Sequence, residues 1–203
     1  SEYQVSSMLD IGSGTGRALQ YFLTNHPEVQ IQGIEPVEAL REQAFDKGIP
    51  RNLLSDGVGE SLPFPDDAFD ATCAFGVLHH VERPSNVIRE MFRVSRRAVF
   101  ISDGNRFGQG SKSKRLVKLT AWKLGLWPIM NFINTRGKGY GLSEGDGLFY
   151  SYSVFDDLGL MTKWSDEVRL IPLAYECAGP RVRSRLNPIL TASHILVCAH
   201  FLS

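Results

Sequence analysis

The fold is decided by the stretch MLDIGSGTGRALQ at residues 8–20, which predicts a buried strand, a glycine turn and the start of a helix. Gly12, Gly14 and Gly16 let the backbone turn sharply and let a ligand approach where a Cβ atom would collide. The first amides of the following helix have no intrahelical partner, so they would face a polar or anionic group. The stretch therefore predicts a cradle for a nucleotide or a related cofactor.

The glycine spacing favours one class of cofactor. A dinucleotide fingerprint requires G-x-G-x-x-G, whereas Arg17 stands where its third glycine would fall, so NAD is the weaker prediction. Asp10 at the strand end would repel a pyrophosphate and suits a ligand that carries an ammonium group. The motif D-I-G-S-G-T-G resembles the first motif of class I S-adenosylmethionine-dependent methyltransferases. The resemblance implies that Asp10, Gly12, Gly14 and Gly16 bind S-adenosylmethionine.

The composition is typical of a globular protein and predicts one domain over residues 1–203. Lys plus Arg equals Asp plus Glu, 22 each, so the net charge favours no class of partner. Cys73, Cys177 and Cys198 are far apart, and none has a second Cys or a His at metal-ligand spacing, which predicts reduced thiols, no metal site and a cytoplasmic location. We also expect a soluble chain, because no segment has the pattern of a signal peptide or a membrane span.

An acidic residue follows the second predicted strand, residues 29–34. Glu35 lies 19 residues after Gly16, and Pro36 comes next. In doubly wound folds, an acid about 20 residues after the glycine turn accepts hydrogen bonds from ribose hydroxyls. We therefore predict that Glu35 binds the ribose, with Pro36 beside it.

A second motif, SDGVGESLPFPDDAFD at residues 55–70, resembles the segment G-D-A-E-x-L-P-F-P-D-x-x-F-D that holds the adenine in many small-molecule methyltransferases. Val58 replaces the usual Asp of that segment. We expect Asp56 to supply the acceptor that this replacement removes. The resemblance implies that the cofactor is bound by four consecutive residues, Gly57, Val58, Gly59 and Glu60. The backbone of Val58 and Gly59 would meet the adenine edge, and Glu60 would start the turn.

The fourth strand is predicted at residues 70–74. In this family the residues just after that strand line the methionine half of the cofactor, so the resemblance implies that Phe75 and Gly76 contact it. The signature VLHH follows at residues 77–80. His79 and His80 could act as general bases, because imidazole titrates near neutrality, or one of them could be a hydrogen-bonded structural residue.

Strands and helices alternate five times up to residue 102, which requires a parallel sheet with right-handed crossovers. The resemblance implies an α/β, doubly wound, Rossmann-like sheet of seven strands in the order 3-2-1-4-5-7-6, with the last strand antiparallel. The last two strands are predicted at residues 167–173 and 192–201, after a helix that begins at residues 153–160 with Ser153 as its cap. Ligands of such sheets bind beyond the carboxyl ends of the strands, where the glycine turn, Glu35 and Phe75 fall.

Residues 104–152 leave this plan and predict an insert that covers the substrate. Residues 104–143 contain eight basic residues and no acid, and residues 114–132 predict a helix that begins basic and ends apolar before Pro128 interrupts it. Three interpretations stay open. The helix is an amphipathic lid, or Arg106, Arg136 or Lys138 holds an anionic or phosphorylated substrate, or the segment binds a membrane surface or RNA.

A glycine-rich run follows, with five glycines in residues 137–147. Tyr140 and Tyr150 are candidates for the wall of the substrate pocket. A second basic patch, Arg181, Arg183 and Arg185, lies in a later connection. The candidates for a general base are His79, Asp103, Glu144 and Asp146.

The predicted function is S-adenosylmethionine-dependent methyl transfer to a small, anionic or phosphorylated acceptor. The alternatives are an RNA methyltransferase and a non-catalytic protein that binds S-adenosylmethionine.

Overall fold

A computed structural model describes residues 5–144, 147–173 and 188–201. Cys177, Asp146 and the predicted basic patch Arg181, Arg183 and Arg185 lie outside these residues. The strands are β1 (Ser7–Ile11), β2 (Gln30–Ile34), β3 (Leu54–Ser55), β4 (Phe69–Phe75), β5 (Ser95–Gly104), β6 (Tyr140–Ser143), β7 (Gly147–Tyr150), β8 (Glu167–Leu173) and β9 (His194–His200). The α-helices are α1 (Arg17–Asn25), α2 (Glu38–Asp46), α3 (Pro84–Val94), α4 (Lys112–Lys123), α5 (Trp127–Asn134), α6 (Leu158–Trp164) and α7 (Pro188–Thr191).

Seven strands form one sheet in the order β3-β2-β1-β4-β5-β9-β8. The first five are parallel, and β9 runs antiparallel to both of its neighbours. Strands β6 and β7 form a separate antiparallel hairpin. Counted within the large sheet alone, the order is 3-2-1-4-5-7-6, so the predicted topology is confirmed.

The sheet is buried on both faces because alternate residues of its strands enter two apolar clusters. In β1, Leu9 and Ile11 enter the larger cluster, whereas Met8 enters the smaller one with Leu19 of α1. Helix α3 packs on the face of the sheet that carries the larger cluster. It contributes apolar side chains at helical spacing, including Val87, Ile88 and Met91, which are fully buried. Burial of each such side chain contributes about 1.5–3 kcal/mol.

Short hydrogen bonds fix the loops at the carboxyl ends of the parallel strands. The backbone amides of Gly12 and Ser13 donate to the carbonyl of Ile34 over 2.9 and 3.0 Å, which ties the glycine turn to the end of β2. The amide of Gly76 donates to the carbonyl of Ser102 over 2.7 Å, which ties the end of β4 to β5. The loops that carry the predicted site are therefore held at one edge of the sheet.

The insert differs from the sequence prediction in two places. The single helix expected over residues 114–132 is wrong, because Gly125 adopts a φ of +70° after α4 and Pro128 lies in the first turn of α5. Ser153 does not cap the next helix, since that helix begins at Leu158 and Ser153 is fully buried. None of the helices in the described ranges is long and apolar enough to span a membrane.

Candidate active site

The glycine turn takes a conformation that ordinary residues rarely adopt. The φ angles of Gly12, Gly14 and Gly16 are +68°, +53° and +76°. A Cβ atom on Gly12 would lie 2.7 Å from both Cγ atoms of Val77, and one on Gly16 would lie 2.9 Å from Cγ1 of Ile49. A Cβ atom on Gly14 would meet no atom of the described chain within 4 Å. Gly12 and Gly16 are thus required by packing, whereas Gly14 faces open space.

Glu35 is buried at the end of β2, with 5% of its surface exposed. Its Oε2 accepts from the backbone amide of Gly14 over 2.9 Å, and its Oε1 accepts from the amide of Val37 over 3.0 Å. Each carboxylate oxygen has a second lone pair, which leaves capacity to accept from ligand hydroxyls. The chain therefore holds the Glu35 carboxylate in a fixed position and orientation.

Asp10 is a buried carboxyl with one unpaired oxygen. Its Oδ1 accepts from the Cys73 thiol over 3.4 Å, whereas no described residue pairs with its buried Oδ2. Burial raises the pKa of Asp10 from 3.8 to about 6. A cation next to Oδ2 would compensate for this desolvation.

These residues meet in a cleft of about 990 Å³, which we call the first cleft. Its predicted residues are Asp10, Gly12, Gly14, Glu35, Pro36, Phe75 and Gly76. Apolar walls complete it, namely Tyr21, Phe22, Val37, Leu40, Val77, Val81 and Leu148. Such a cleft suits a ligand of mixed polarity, because a few fixed polar groups lie among apolar walls.

The segment predicted to hold the adenine does not line the first cleft. A Cβ atom on Gly57 would lie 3.5 Å from Cβ of Ile34, and one on Gly59 would lie 3.0 Å from Cγ2 of Ile11, so both glycines pack on core residues. The remaining predicted residues absent from the lining are Gly16, Val58 and Glu60. The carboxylate of Asp56 pairs with Arg41 over 2.9 Å.

A second cleft of about 1120 Å³ adjoins the first and shares Arg17, Gly76 and His80 with it. The predicted catalytic and substrate residues in its lining are His79, Asp103, Arg106, Arg136, Lys138, Tyr140 and Tyr150. Glu144 is exposed and does not line this cleft. Residues of the insert line most of the second cleft.

His79 is held by a buried carboxylate. Its Nδ1 lies 2.9 Å from Oδ1 of Asp103, and its backbone amide donates to Oδ2 over 3.2 Å. Asp103 is 1% exposed and also accepts from the amide of Gly104 over 2.5 Å. When Nδ1 of His79 donates to Asp103, Nε2 carries the lone pair, and the carboxylate stabilises the protonated ring. The arrangement can accept a proton and keep the resulting charge.

Arg106 lines the second cleft, but its guanidinium already forms an ion pair within the chain. The guanidinium pairs with the Asp156 carboxylate and lies 4.9 Å from the centroid of the Trp127 ring. Burial lowers the pKa of Arg106 to about 10. The Asp156 carboxylate also accepts from Nε1 of Trp122 over 3.0 Å. Arg106 therefore joins the insert to the segment before α6, a role that differs from the predicted contact with an anion.

Two other predicted cations remain available. Arg136 and Lys138 are exposed, and neither forms an ion pair with a carboxylate in the described ranges. The rings of Tyr140 and Tyr150 pack edge to face across the β6–β7 hairpin, with centroids 6.4 Å apart. The carbonyl oxygen of Leu148 lies 2.7 Å from Nδ1 of His80. This contact fixes the hairpin to the boundary between the two clefts.

The inner face of α5 was missed from the sequence. Trp127 and Asn131 of α5 and its C-cap residue Thr135 all line the second cleft. Their spacing of four residues places them on one helical face, so the pattern was present but was obscured by the prediction of a single long helix. Among the described residues, no group of three or more His, Cys, Asp or Glu side chains could hold a metal ion.

A family model described as a methyltransferase domain matches residues 9–101. The uncharacterized methyltransferase YcgJ of Bacillus subtilis is 39% identical over 93 residues, which cover 43% of this chain and 35% of that protein. The ubiquinone/menaquinone biosynthesis C-methyltransferase UbiE of Pseudomonas paraeruginosa is 31% identical over 141 residues, which cover 64% of this chain and 52% of that protein. The chain thus spans between about a third and a half of the length of these relatives.

A solved structure of a putative S-adenosylmethionine-dependent methyltransferase from Listeria monocytogenes superposes with a TM-score of 0.64. The match covers 98% of this chain and 90% of that one at 12% sequence identity, so it supports the fold alone. Residues 9–101 of this chain therefore match the methyltransferase-domain family, and the chain shares the fold of the Listeria monocytogenes protein.

Proposed function

We propose that this chain transfers the methyl group of S-adenosylmethionine to a small acceptor. The observation that carries the proposal is the contact between the two clefts, which share Arg17, Gly76 and His80. One cleft has the acids and the glycine turn that suit the cofactor, and the other has His79 in its wall. A donor and an acceptor in adjoining clefts are held close together, which is the main requirement of an in-line transfer.

The first cleft fits S-adenosylmethionine, which supplies an electrophilic methyl group on its sulfonium. The unpaired Oδ2 of Asp10 would hold the ammonium group, and the fixed carboxylate of Glu35 would hold the ribose hydroxyls. Gly14 supports this assignment, because its α-carbon faces open space next to Glu35. Val37 and Leu40 follow Glu35 in the lining and suit a flat base, while Gly57 to Glu60 stay a prediction for the adenine edge.

His79 is our proposed general base. For a hydroxyl acceptor, Nε2 of His79 would take the proton, and Asp103 would orient the ring and stabilise its positive charge. Asp103 is itself a positioning residue in this proposal, because its carboxylate is buried and engaged by three hydrogen bonds from residues 79 and 104.

We propose an anionic or phosphorylated small molecule as the acceptor. Arg136 and Lys138 support this proposal, because they are exposed cations in the lining of the second cleft with no ion pair in the described part of the chain. Tyr140 and Tyr150 would contact the body of the acceptor. The insert, residues 104–152, would then act as the lid over both ligands, since it contributes Leu148 to the first cleft and most of the second.

The test is a methyl-transfer assay with methyl-labelled S-adenosylmethionine and a panel of phosphorylated, carboxylated and uncharged hydroxyl and amine compounds. We expect release of S-adenosylhomocysteine with an anionic acceptor. Arg136→Gln and Lys138→Gln should raise the KM for that acceptor, whereas Glu38→Gln on exposed α2 should not. Cofactor binding without transfer to any compound of the panel would overturn the proposed reaction in favour of a non-catalytic binding protein.

A further inference from the structure

Five large apolar side chains are exposed around the turn between α4 and α5. They are Leu124, Leu126, Ile129, Phe132 and Ile133, with 66%, 47%, 60%, 61% and 68% of their surfaces exposed. Single exposed apolar residues are common on proteins, but a cluster within ten residues of sequence marks an interaction surface. We call this cluster the apolar surface.

Helix α5 has two faces with different uses. Ile129, Phe132 and Ile133 have the spacing of one helical face and are exposed. The other face contributes Trp127 and Asn131 to the second cleft. The exposed apolar residues are therefore not the core side of a badly packed helix, because the side that faces the protein is occupied by other residues.

Basic residues flank the apolar surface. Lys123 precedes Leu124, and Arg136 and Lys138 stand on either side of Gly137, where a Cβ atom would lie 3.4 Å from Cζ of Phe132. Residues 104–143 contain no Asp or Glu, so no acid of this segment offsets these charges. The apolar surface thus combines exposed hydrophobic side chains with local positive charge.

We propose that the apolar surface docks on a membrane that contains anionic lipids. Helices with an apolar face and flanking Lys or Arg lie in the lipid interface, where the apolar side chains enter the acyl boundary and the cations contact headgroups. A second copy of this chain is a poorer occupant, because a two-fold contact would bring the same cations together. RNA is poorer as well, because phosphates would not compensate for five exposed apolar side chains.

The experiment is co-sedimentation of the full chain with vesicles of phosphatidylcholine, alone or mixed with phosphatidylglycerol. The apolar variant combines Ile129→Ser, Phe132→Ser and Ile133→Ser. The charge variant combines Lys123→Gln, Arg136→Gln and Lys138→Gln, and its readout is vesicle binding alone, because Arg136 and Lys138 also line the second cleft. The matched control is Ile171→Ser on β8, which removes an apolar side chain that is 44% exposed and lies outside the apolar surface. Thermal unfolding of each variant shows whether the fold is retained.

We expect binding to the anionic vesicles that is about tenfold stronger than to phosphatidylcholine alone and that weakens with salt. The apolar variant and the charge variant should each lose about tenfold in binding, and Ile171→Ser should bind like the unmodified chain. Equal binding of the apolar variant and the unmodified chain would overturn the proposal. So would an absence of vesicle binding, or a dimer in light scattering that the apolar variant dissociates.

Discussion

The backbone amide of Gly14 donates to Oε2 of Glu35 over 2.9 Å, which joins the glycine turn after β1 to the end of β2. The second carboxylate oxygen is held by the amide of Val37. The two loops that would contact the cofactor therefore orient each other. A carboxylate fixed in this way loses little conformational entropy on binding, so its hydrogen bonds to a ligand contribute more to affinity.

Replacement of Glu35 should weaken binding of S-adenosylmethionine. Glu35→Ala removes charge-assisted hydrogen bonds to the ribose, and we expect a loss of about tenfold or more in affinity by calorimetric titration. Glu35→Gln keeps the shape of the side chain, so its affinity for S-adenosylmethionine should lie between that of the unmodified chain and that of Glu35→Ala. Glu38→Ala, on the exposed side of α2, is the matched control. Unchanged affinity in Glu35→Ala, with the thermal stability retained, would remove Glu35 from the site.

Asp10→Asn should stabilise the protein at neutral pH. Burial raises the pKa of Asp10 from 3.8 to about 6, so its ionisation costs folding energy. The cost is absent below about pH 4, grows between pH 4 and 6, and is complete above about pH 6, where it amounts to roughly 3 kcal/mol. Thermal unfolding should therefore show a higher Tm for Asp10→Asn than for the unmodified chain at pH 8, and equal values near pH 4.

The control for this experiment is Asp46→Asn, which changes an exposed carboxylate at the end of α2. We expect its effect on the Tm to differ little between pH 4 and pH 8. A stability gain in Asp10→Asn that did not depend on pH would contradict the assignment of the cost to the buried charge.

Gly12→Ala should lower the free energy of unfolding more than Gly48→Ala does. It combines a φ of +68° with a Cβ atom 2.7 Å from both Cγ atoms of Val77, and we expect the free energy of unfolding to fall by about 2–4 kcal/mol. Gly48→Ala has a φ of +93° but meets no described atom within 4 Å, so only the backbone strain of about 1–2 kcal/mol applies. Equal losses in urea denaturation would show that Val77 moves away without cost.

Once an acceptor is known, substitutions of His79 and Asp103 should have different effects on the kinetics of methyl transfer. His79→Gln should lower kcat by about 10²–10⁴-fold and leave the affinity for S-adenosylmethionine within about twofold, since His79 lines the second cleft only. Asp103→Asn should move the acidic limb of the pH–kcat profile to lower pH, because the carboxylate no longer favours the protonated ring. A merely structural Asp103 would leave that limb in place. His26→Gln, at the partly buried C-cap of α1, is the control.

The sheet could be predicted from the sequence because its signals are local. The range of β8, residues 167–173, was predicted to the residue, because apolar and polar residues alternate along it. The insert depends instead on distant contacts. The ion pair between Arg106 and Asp156 joins residues 50 positions apart, and no local pattern announces it.

The same distinction applies to the candidate site. Asp10 lies near the end of β1 and Glu35 directly follows β2, so the topology alone brings them to one edge of the sheet. The unpaired Oδ2 of Asp10 and the contact of His79 with Asp103 depend on side-chain packing between β1, β4 and β5 and could not be read from spacing. The inner face of α5 required the break at Gly125 to be recognised first.

Calorimetric titration of the chain with S-adenosylmethionine, S-adenosylhomocysteine and NAD tests the central claim most directly. The glycine turn, the unpaired oxygen of Asp10 and the fixed carboxylate of Glu35 predict binding of the first two ligands and none of NAD. Binding of S-adenosylmethionine should also be weaker in Asp10→Asn, because the ammonium group loses its counter-charge. Binding of NAD, or binding of none of the three, would contradict the assignment of the first cleft.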